Sequence, residues 1–360
     1  MIQIYIDPRC IITYSSYYIQ GLYEYFGKKN VRFSNKFFHD VDMSLNEFSH
    51  INDSLMLIIA IDSSTKQTIS KLAIDFRDAT NIIKSAYTWC DIYAKINYNK
   101  ESTEIPADAN KIVSIPPSFA IRYRGILGIM FDMVQNIYKV FIDKRKSPTI
   151  FSIKQYITNY LYLVIRRKKL VEYTKPTQSL SNYVFFISTL WNHMNCIEST
   201  NVLRAAYMRT CKTNKNLKFE GGFYIKQDDN YSSQYNDIKL RHHISIRKYI
   251  TNTKLSAFVF NTPSCWDCHG WKLGEFLAMG KAIISSPITN ELPETLKDRY
   301  HIHIIHNPSD IQTAIDKLHY NCQYRHSLEA HAKKYFETYA SPYKVIENIF
   351  SEIHIRNNNI

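Results

Sequence analysis

The residues best equipped for chemistry lie in one stretch, Ala257-Phe-Val-Phe-Asn-Thr-Pro-Ser-Cys-Trp-Asp-Cys-His-Gly-Trp-Lys-Leu-Gly-Glu-Phe-Leu-Ala-Met-Gly-Lys-Ala-Ile-Ile-Ser-Ser-Pro287. Its pattern reads as strand, loop, helix, tight turn and buried strand. Leu273, Phe276 and Leu277 recur at i, i+3, i+4, the spacing that docks one helix face on a sheet. Gly280 follows the last periodic residue, where a left-handed cap ends a helix. The helix amino terminus then opens onto the loop before it, around 264–271. Unpaired N–H groups and the helix dipole favour an anion there. Gly270 and Gly274 permit close approach, Trp271 and Leu273 flank the entry, and Lys272 adds a positive charge, so a diphosphate suits the corner. Glu275, placed in the first turn, has two readings. It complements the helix dipole, worth about 0.3–1 kcal/mol, or it accepts hydrogen bonds from the vicinal hydroxyls of a ribose. Asp267, eight residues earlier, is a solvated loop acid or a second carboxylate at the sugar end of the same ligand.

Other constellations carry weaker signals. Cys265-x2-Cys268-His269 suggests zinc, yet no second ligand pair follows at finger spacing, so the thiols read as structural or incidental. His269 could instead reach the diphosphate or its leaving oxygen. Asp40-Val-Asp42 is a carboxylate pair able to hold manganese or magnesium against a diphosphate. Asp228-Asp229 sits in a polar stretch and reads as solvated loop. Asp78, after a strand, reads as a helix N-cap. Asp78 and Asp7 are also the candidate catalytic bases if a hydroxyl proton must be removed. Arg204 and Arg209 share a helix and could neutralise phosphate, with a solvated face as the plainer reading. Lys144-Arg145-Lys146 and Arg166-Arg167-Lys168-Lys169 are basic clusters. Each basic residue beside an anionic leaflet contributes about 1 kcal/mol. No G-x-x-x-x-G-K-[ST] and no G-x-G-x-x-G occurs, which argues against an ATPase and a dehydrogenase.

These residues need a scaffold, and the hydrophobic periodicity supplies one. In the first half, strand-like runs at 3–6, 31–33, 55–61, 72–76, 92–96 and 112–115 alternate with helical patterns at 17–26 and 80–88. That rhythm predicts an α/β domain with a mostly parallel sheet. Helices over 124–142 and 152–165 follow. A polar stretch at 168–181 reads as a linker. The alternation then resumes, with strands at 183–188, 217–224, 255–260, 282–285 and 301–305. The helices between them are expected at 198–211, 242–251, 272–279 and 311–319, and two more close the chain near 325–339 and 343–353. The expected domains are 1–175 and 176–340, with a C-terminal helix at 341–360.

Composition limits the classes. The chain has 360 residues, 45% hydrophobic and 21% charged, which excludes a disordered chain or a disulfide miniprotein. The longest apolar run, 55–61, is far below the ~20 residues of a membrane span. The amino terminus carries no basic n-region; it reads as a strand, and a cytoplasmic location is expected. Seven scattered cysteines suggest reduced thiols. The net charge of +13 favours anionic partners such as phosphorylated substrates, nucleic acid or a lipid surface. With only nine glycines in the chain, the cluster at 270, 274 and 280 stands out.

Asp267-x7-Glu275, followed by Phe-Leu-Ala-Met-Gly-Lys-Ala-Ile-Ile-Ser-Ser-Pro, resembles the donor signature of the group-1 branch of GT-B glycosyltransferases, an E-x7-E pattern with an E-x-x-A-x-G-K-P-V-V tail. Asn307-Pro-Ser-Asp310 and the helix after it are similar to that family's later segment. Asp267 stands where the family has Glu, one methylene shorter, and Ala282 replaces a Pro. The resemblance implies two Rossmann-like domains facing across a cleft, with the helix at 341–360 returning to the first. It gives Glu275 the donor ribose, Asp267 the transferred sugar and the helix corner the diphosphate. It implies transfer from a nucleoside-diphosphate sugar to a saccharide or lipid-linked saccharide hydroxyl, with no metal or other cofactor. Cell-surface polysaccharide assembly would be the setting, with the enzyme peripheral on the inner membrane face. Two alternatives stay open: a basic nucleic-acid-binding protein, ranked below because its basic residues are dispersed, and a metal-dependent GT-A transferase built on Asp40 and Asp42.

Overall fold

The computed structural model describes residues 1–38, 40–41, 55–102, 104–105, 109–142, 152–226 and 229–358. The chain divides into two units. One holds Met1–Leu170, Glu291–Pro293 and Tyr339–Ile360; the other holds Val171–Asn290 and Glu294–Thr338.

The first unit begins with β1 (Ile2–Ile6), α1 (Ile12–Phe26), β2 (Val31–Phe33), β3 (Met56–Asp62) and β4 (Thr68–Asp75). It continues with α2 (Lys84–Trp89), β5 (Ile92–Lys95), β6 (Ile112–Ser114), α3 (Ile126–Ile137) and α4 (Ile153–Arg166). Its six strands run in the order β2-β1-β3-β4-β5-β6. Five share one direction. β3 is antiparallel to both neighbours, which departs from the crossover rhythm expected between 61 and 72. The reason is a short turn. Asp62 Oδ1 accepts from the backbone N–H of Ser64 at 2.7 Å and Thr65 at 3.1 Å, and Lys66 takes a left-handed φ of 62°. An Asx turn of this kind reverses the chain without a glycine. β3 is buried along nearly its whole length, as expected for the continuous apolar run Met-Leu-Ile-Ile-Ala-Ile.

The second unit opens with α5 (Leu170–Thr174), whose first residue belongs to the first unit. It continues through β7 (Tyr183–Thr189), α6 (Asn201–Thr213), β8 (Lys218–Tyr224), α7 (Asn230–Ser233), α8 (Ile246–Leu255) and β9 (Val259–Asn261). Then come α9 (Trp271–Met279), β10 (Ile283–Ser285), β11 (His303–Ile304), α10 (Asp310–Tyr320) and α11 (Cys322–Tyr335). β9, β10 and β11 form a parallel sheet with β10 in the centre, and β7 pairs with β8 in parallel. The Ala257 N–H donates to Tyr183 O at 2.7 Å, so β7 lies beside the approach to β9. Aromatic side chains fill the space between sheet and helices. Tyr207 of α6 stacks on Phe260 at 4.3 Å, and Phe186 meets Tyr207 edge-on at 5.5 Å.

The last helix, α12 (Pro342–Asn358), belongs to the first unit and packs on α1. Tyr17 Oη donates to Ala340 O at 2.5 Å, and Phe26 meets Phe350 at 4.7 Å. Gly21 allows this approach, because a Cβ there would lie 2.2 Å from Pro342 O. The segments 138–142, 196–200 and 336–340 are single π-helical turns continuous with α3, α6 and α11.

Candidate functional site

The stretch 257–287 folds as its pattern implies. β9 leads into a loop, α9 follows, and β10 returns alongside β9. Leu273, Phe276 and Leu277 are buried and hold α9 on the sheet. Gly280 caps it in the left-handed conformation, φ 63° and ψ 52°. Gly270 is the N-cap and offers no side chain to the helix amino end; a Cβ there would meet nothing within 4 Å. The corner therefore keeps open space beside the N-terminal dipole. Gly274 is buried on the helix, and Trp271 is half-buried at its start.

Two features differ from the expectation. First, α9 begins at Trp271, so Glu275 lies beyond the first turn, which holds no acid. The dipole-complement reading of Glu275 loses its basis. Second, Glu275 is only 4% exposed. Its Oε2 accepts from Tyr249 Oη on α8 at 2.5 Å. A buried carboxylate is costly unless hydrogen-bonded, and Tyr249 meets part of that need. Tyr249 was not legible as a site residue, since it sits inside an ordinary helical pattern.

Lys272 is half-buried at the start of α9. Burial pushes its amine down to about 8, the positive charge of Arg204 acts the same way, and Glu275 opposes both. Arg204 is buried, contrary to the solvated-face reading. Its Nε donates to Thr262 Oγ1 at 2.8 Å, and desolvation lowers its guanidinium to about 10. Arg209 does lie on an exposed face, paired with Asp237 at 2.8 Å. The second unit thus brings two cations, Lys272 and Arg204, to the entry of α9. Lys281, in the tail of the motif, is structural: its Nζ donates to Lys254 O at 3.1 Å.

Asp267 ends the short helical turn Cys265–Asp267 and is exposed. Its Oδ1 accepts from Asn195 Nδ2 at 3.1 Å, and its carbonyl from Asn290 Nδ2 at 3.1 Å. Trp266 and Asp267 are both left-handed, at φ 52° and 55°. His269 is buried. Cys265 and Cys268 are also buried.

The candidate bases of the first unit fare differently. Asp7 is buried, and Arg9 Nε donates to its two oxygens at 3.0 and 2.9 Å. Both carboxylate oxygens are thus already engaged by the Arg9 guanidinium, which departs from the available acid the sequence suggests. Asp78 is exposed in the loop after β4. It caps no helix, because α2 starts only at Lys84 with Ile83 as N-cap. Asp75, three residues earlier, is fully buried. Its Oδ2 accepts from Lys95 Nζ at 2.9 Å, Arg77 Nη2 at 2.9 Å and Tyr93 Oη at 2.7 Å. Asp7-x-Arg9 and Asp75-x-Arg77 are the same device at the ends of β1 and β4, a feature sequence reasoning missed. Asp40 Oδ2 pairs with Lys71 at 2.6 Å, and its Oδ1 accepts from Trp89 Nε1 at 2.8 Å. Those contacts already engage the carboxylate that a metal-dependent site would need. Asp42, Asp228 and the basic cluster 144–146 lie outside the described residues.

Among the described residues no helix is long and apolar enough to cross a membrane. No family model and no curated protein matches the sequence. Among solved structures, the chain is similar to the C-terminal domain of a glycosyl transferase group 1 family protein (LpcC) from Francisella tularensis. That match has 12% identity and a TM-score of 0.33, covering 45% of this chain and 86% of that one. It is similar to a glycosyltransferase from Rickettsia africae, with 12% identity, a TM-score of 0.41 and coverage of 76% and 68%. It is also similar to a mutant of S. aureus TarM in complex with fondaparinux, alpha-GlcNAc-glycerol and UDP. There the identity is 10%, the TM-score 0.41 and the coverage 82% and 64%.

Proposed function

We propose that this chain is a GT-B-type glycosyltransferase whose second unit binds a nucleoside-diphosphate sugar at the amino end of α9. The observation that carries the reading is Glu275. It is a carboxylate kept under cover on a helix whose glycine-led entry also holds Lys272 and Arg204. In this reading Glu275 accepts hydrogen bonds from the ribose hydroxyls, and Asp267 meets the transferred sugar. Lys272, mostly protonated at neutral pH, sits with the helix N–H groups beside the diphosphate. When the glycosidic bond to phosphate breaks, negative charge grows on the leaving oxygen. Groups already oriented toward it stabilise that charge without reorganising. The transfer step then requires no metal ion. The acceptor is a saccharide or lipid-linked saccharide hydroxyl. If the configuration inverts, Asp78 is the remaining candidate to take the hydroxyl proton.

The first unit supports a location on an anionic lipid surface. Leu127, Phe131, Val134 and Tyr138 recur at helical spacing along α3 and its π-helical extension, and all are exposed, Leu127 by 86% and Phe131 by 58%. Ile165 on α4 is exposed too. The basic residues Arg166–Lys169 follow at the end of α4. An apolar stripe next to basic side chains is the pattern of a protein resting in a lipid interface. This reading predicts a cytoplasmic protein on the inner membrane face.

The test is a panel of UDP-, GDP- and CDP-sugars in melting and donor-hydrolysis assays on the wild type and Glu275→Ala. One donor class should raise the melting temperature and be slowly hydrolysed, and the variant should lose both effects. If no donor stabilises the wild-type chain, the reading fails.

A further inference from the structure

In the second unit, the turn leading into α6 and the loop leading into α9 meet through three groups that can ligate a metal. A ring nitrogen of His193, Cys196 Sγ and Cys265 Sγ lie within 4.8 Å of one another. Cys196 and Cys265 are buried, and their sulfurs are 3.8 Å apart. A disulfide would need about 2.05 Å. A tetrahedral ion with metal–sulfur bonds of about 2.3 Å sets two thiolates about 3.8 Å apart. The sequence pattern groups Cys265 with Cys268 and His269. The fold instead joins Cys265 to a cysteine and a histidine 69 and 72 residues upstream.

The surroundings suit such a site. Asn195 hydrogen-bonds to His193 Nδ1, and donates from Nδ2 to Ser264 O at 3.0 Å and to Asp267 Oδ1 at 3.1 Å. It thereby ties the histidine to the cysteine loop, the role that residues behind metal ligands play. Thr200 Oγ1 donates to Pro263 O at 3.1 Å and holds the same two segments together. The His193 ring packs edge-on against Trp266 at 4.6 Å. Trp266 and Asp267 occupy consecutive left-handed conformations, which cost energy in residues other than glycine. An ion bound by Cys265 would hold the turn in that conformation.

We propose that His193, Cys196 and Cys265 form a binding site for one soft divalent cation, zinc by preference, that pins the loop 264–270 to the start of α6. Two thiolates and a neutral imidazole favour zinc over magnesium or calcium, which take oxygen ligands. The two thiols release their protons on binding. The ion is structural, so the proposal stands apart from the transfer reaction and from the question of donor.

The test uses the full chain, stripped with a chelator under reducing conditions and titrated with cobalt and then zinc. One equivalent of cobalt should produce the thiolate-to-cobalt charge-transfer band and the visible bands of tetrahedral cobalt. Zinc should then displace it and raise the melting temperature. Cys196→Ser and Cys265→Ser should each cut the charge-transfer band to about half and weaken zinc by at least about 100-fold, the upper end of what losing a residue behind the ligands costs, and the double variant should abolish the band. His193→Gln should weaken zinc while retaining the charge-transfer band. It also serves as the informative variant if a cysteine substitution prevents folding. Cys322→Ser, at the exposed cysteine, should change nothing. The proposal is overturned if the reduced wild-type chain gives no thiolate–cobalt band. It is equally overturned if the band keeps its full intensity in either folded single variant or persists in the folded double variant.

Discussion

Replacing Glu275 with glutamine is the sharpest probe of the donor site, because it removes a charge and keeps the shape. Glu275 is 4% exposed, so its hydrogen bonds to a ribose would form with little competition from water. Hydrogen bonds to a charged group are worth about 1.5–3 kcal/mol, against about 0.5–1.5 for neutral pairs. Two ribose hydroxyls on one carboxylate therefore lose about 2–3 kcal/mol in the variant. That is a rise of roughly 30- to 150-fold in the Kd of the nucleotide. The fold should change by no more than about 1 kcal/mol. The amide removes a buried charge, and Tyr249 Oη can still donate to its oxygen. Calorimetric titration of UDP, GDP and CDP, each with its 2′-deoxy form, would measure this in both proteins. The deoxy nucleotide should be penalised in the wild type and much less in Glu275→Gln, since both changes remove one interaction. The reasoning is refuted if the variant melts like the wild type and binds the nucleotide within twofold. An equal deoxy penalty in the two proteins would refute it as well.

Lys272 makes donor binding pH-dependent. Its amine is protonated below about 8 and neutral above, so nucleotide affinity should fall as pH rises through that value; Lys272→Arg should flatten the profile, and a flat wild-type profile excludes the lysine. Asp75→Asn should destabilise the chain by about 3–5 kcal/mol, because it leaves Lys95 and Arg77 buried against a neutral acceptor; a urea midpoint unchanged from the wild type would contradict this. Burial alone would raise the Asp75 carboxyl, but Lys95 and Arg77 outweigh it and hold it below the usual range. Its contribution to stability should therefore persist through mild acid and fade only as pH falls below that range. Phe131→Asp should cut binding to anionic phospholipid vesicles by more than about tenfold, since burying such a side chain is worth about 1.5–3 kcal/mol, with no change in melting temperature. Equal vesicle sedimentation of variant and wild type would dismiss the lipid-facing stripe.

Local signals carried most of the secondary structure. Leu273, Phe276 and Leu277 placed the α9 face, and Gly280 marked its end, because periodicity and glycine chemistry act within a few residues. The buried run at 55–61 was plain, but its direction was not. That was decided by how Asp62 engages Ser64 and Thr65, a turn without glycine that single-residue preferences do not flag. The candidate site was legible where it is local, at Gly270, Lys272 and Glu275. It was illegible where partners come from afar. Tyr249 meets Glu275 across 26 residues, and Cys196 meets Cys265 across 69. Buried pairing also misled. Asp7 looks from sequence like an available acid, and only the fold reveals the guanidinium two residues on.

The placement of α12 has a consequence for synthesis. The face of α1 that carries Tyr17, Gly21 and Phe26 takes much of its cover from residues from 339 onward. At about 5–20 residues per second, a ribosome adds the segment between Phe26 and Tyr339 over roughly 15–60 s. Throughout that delay the nascent amino-terminal half waits with an apolar seam uncovered. Chaperone demand, and the damage done by premature termination near the 3′ end of the message, should both concentrate on this half, although the missing residues lie at the opposite end of the chain.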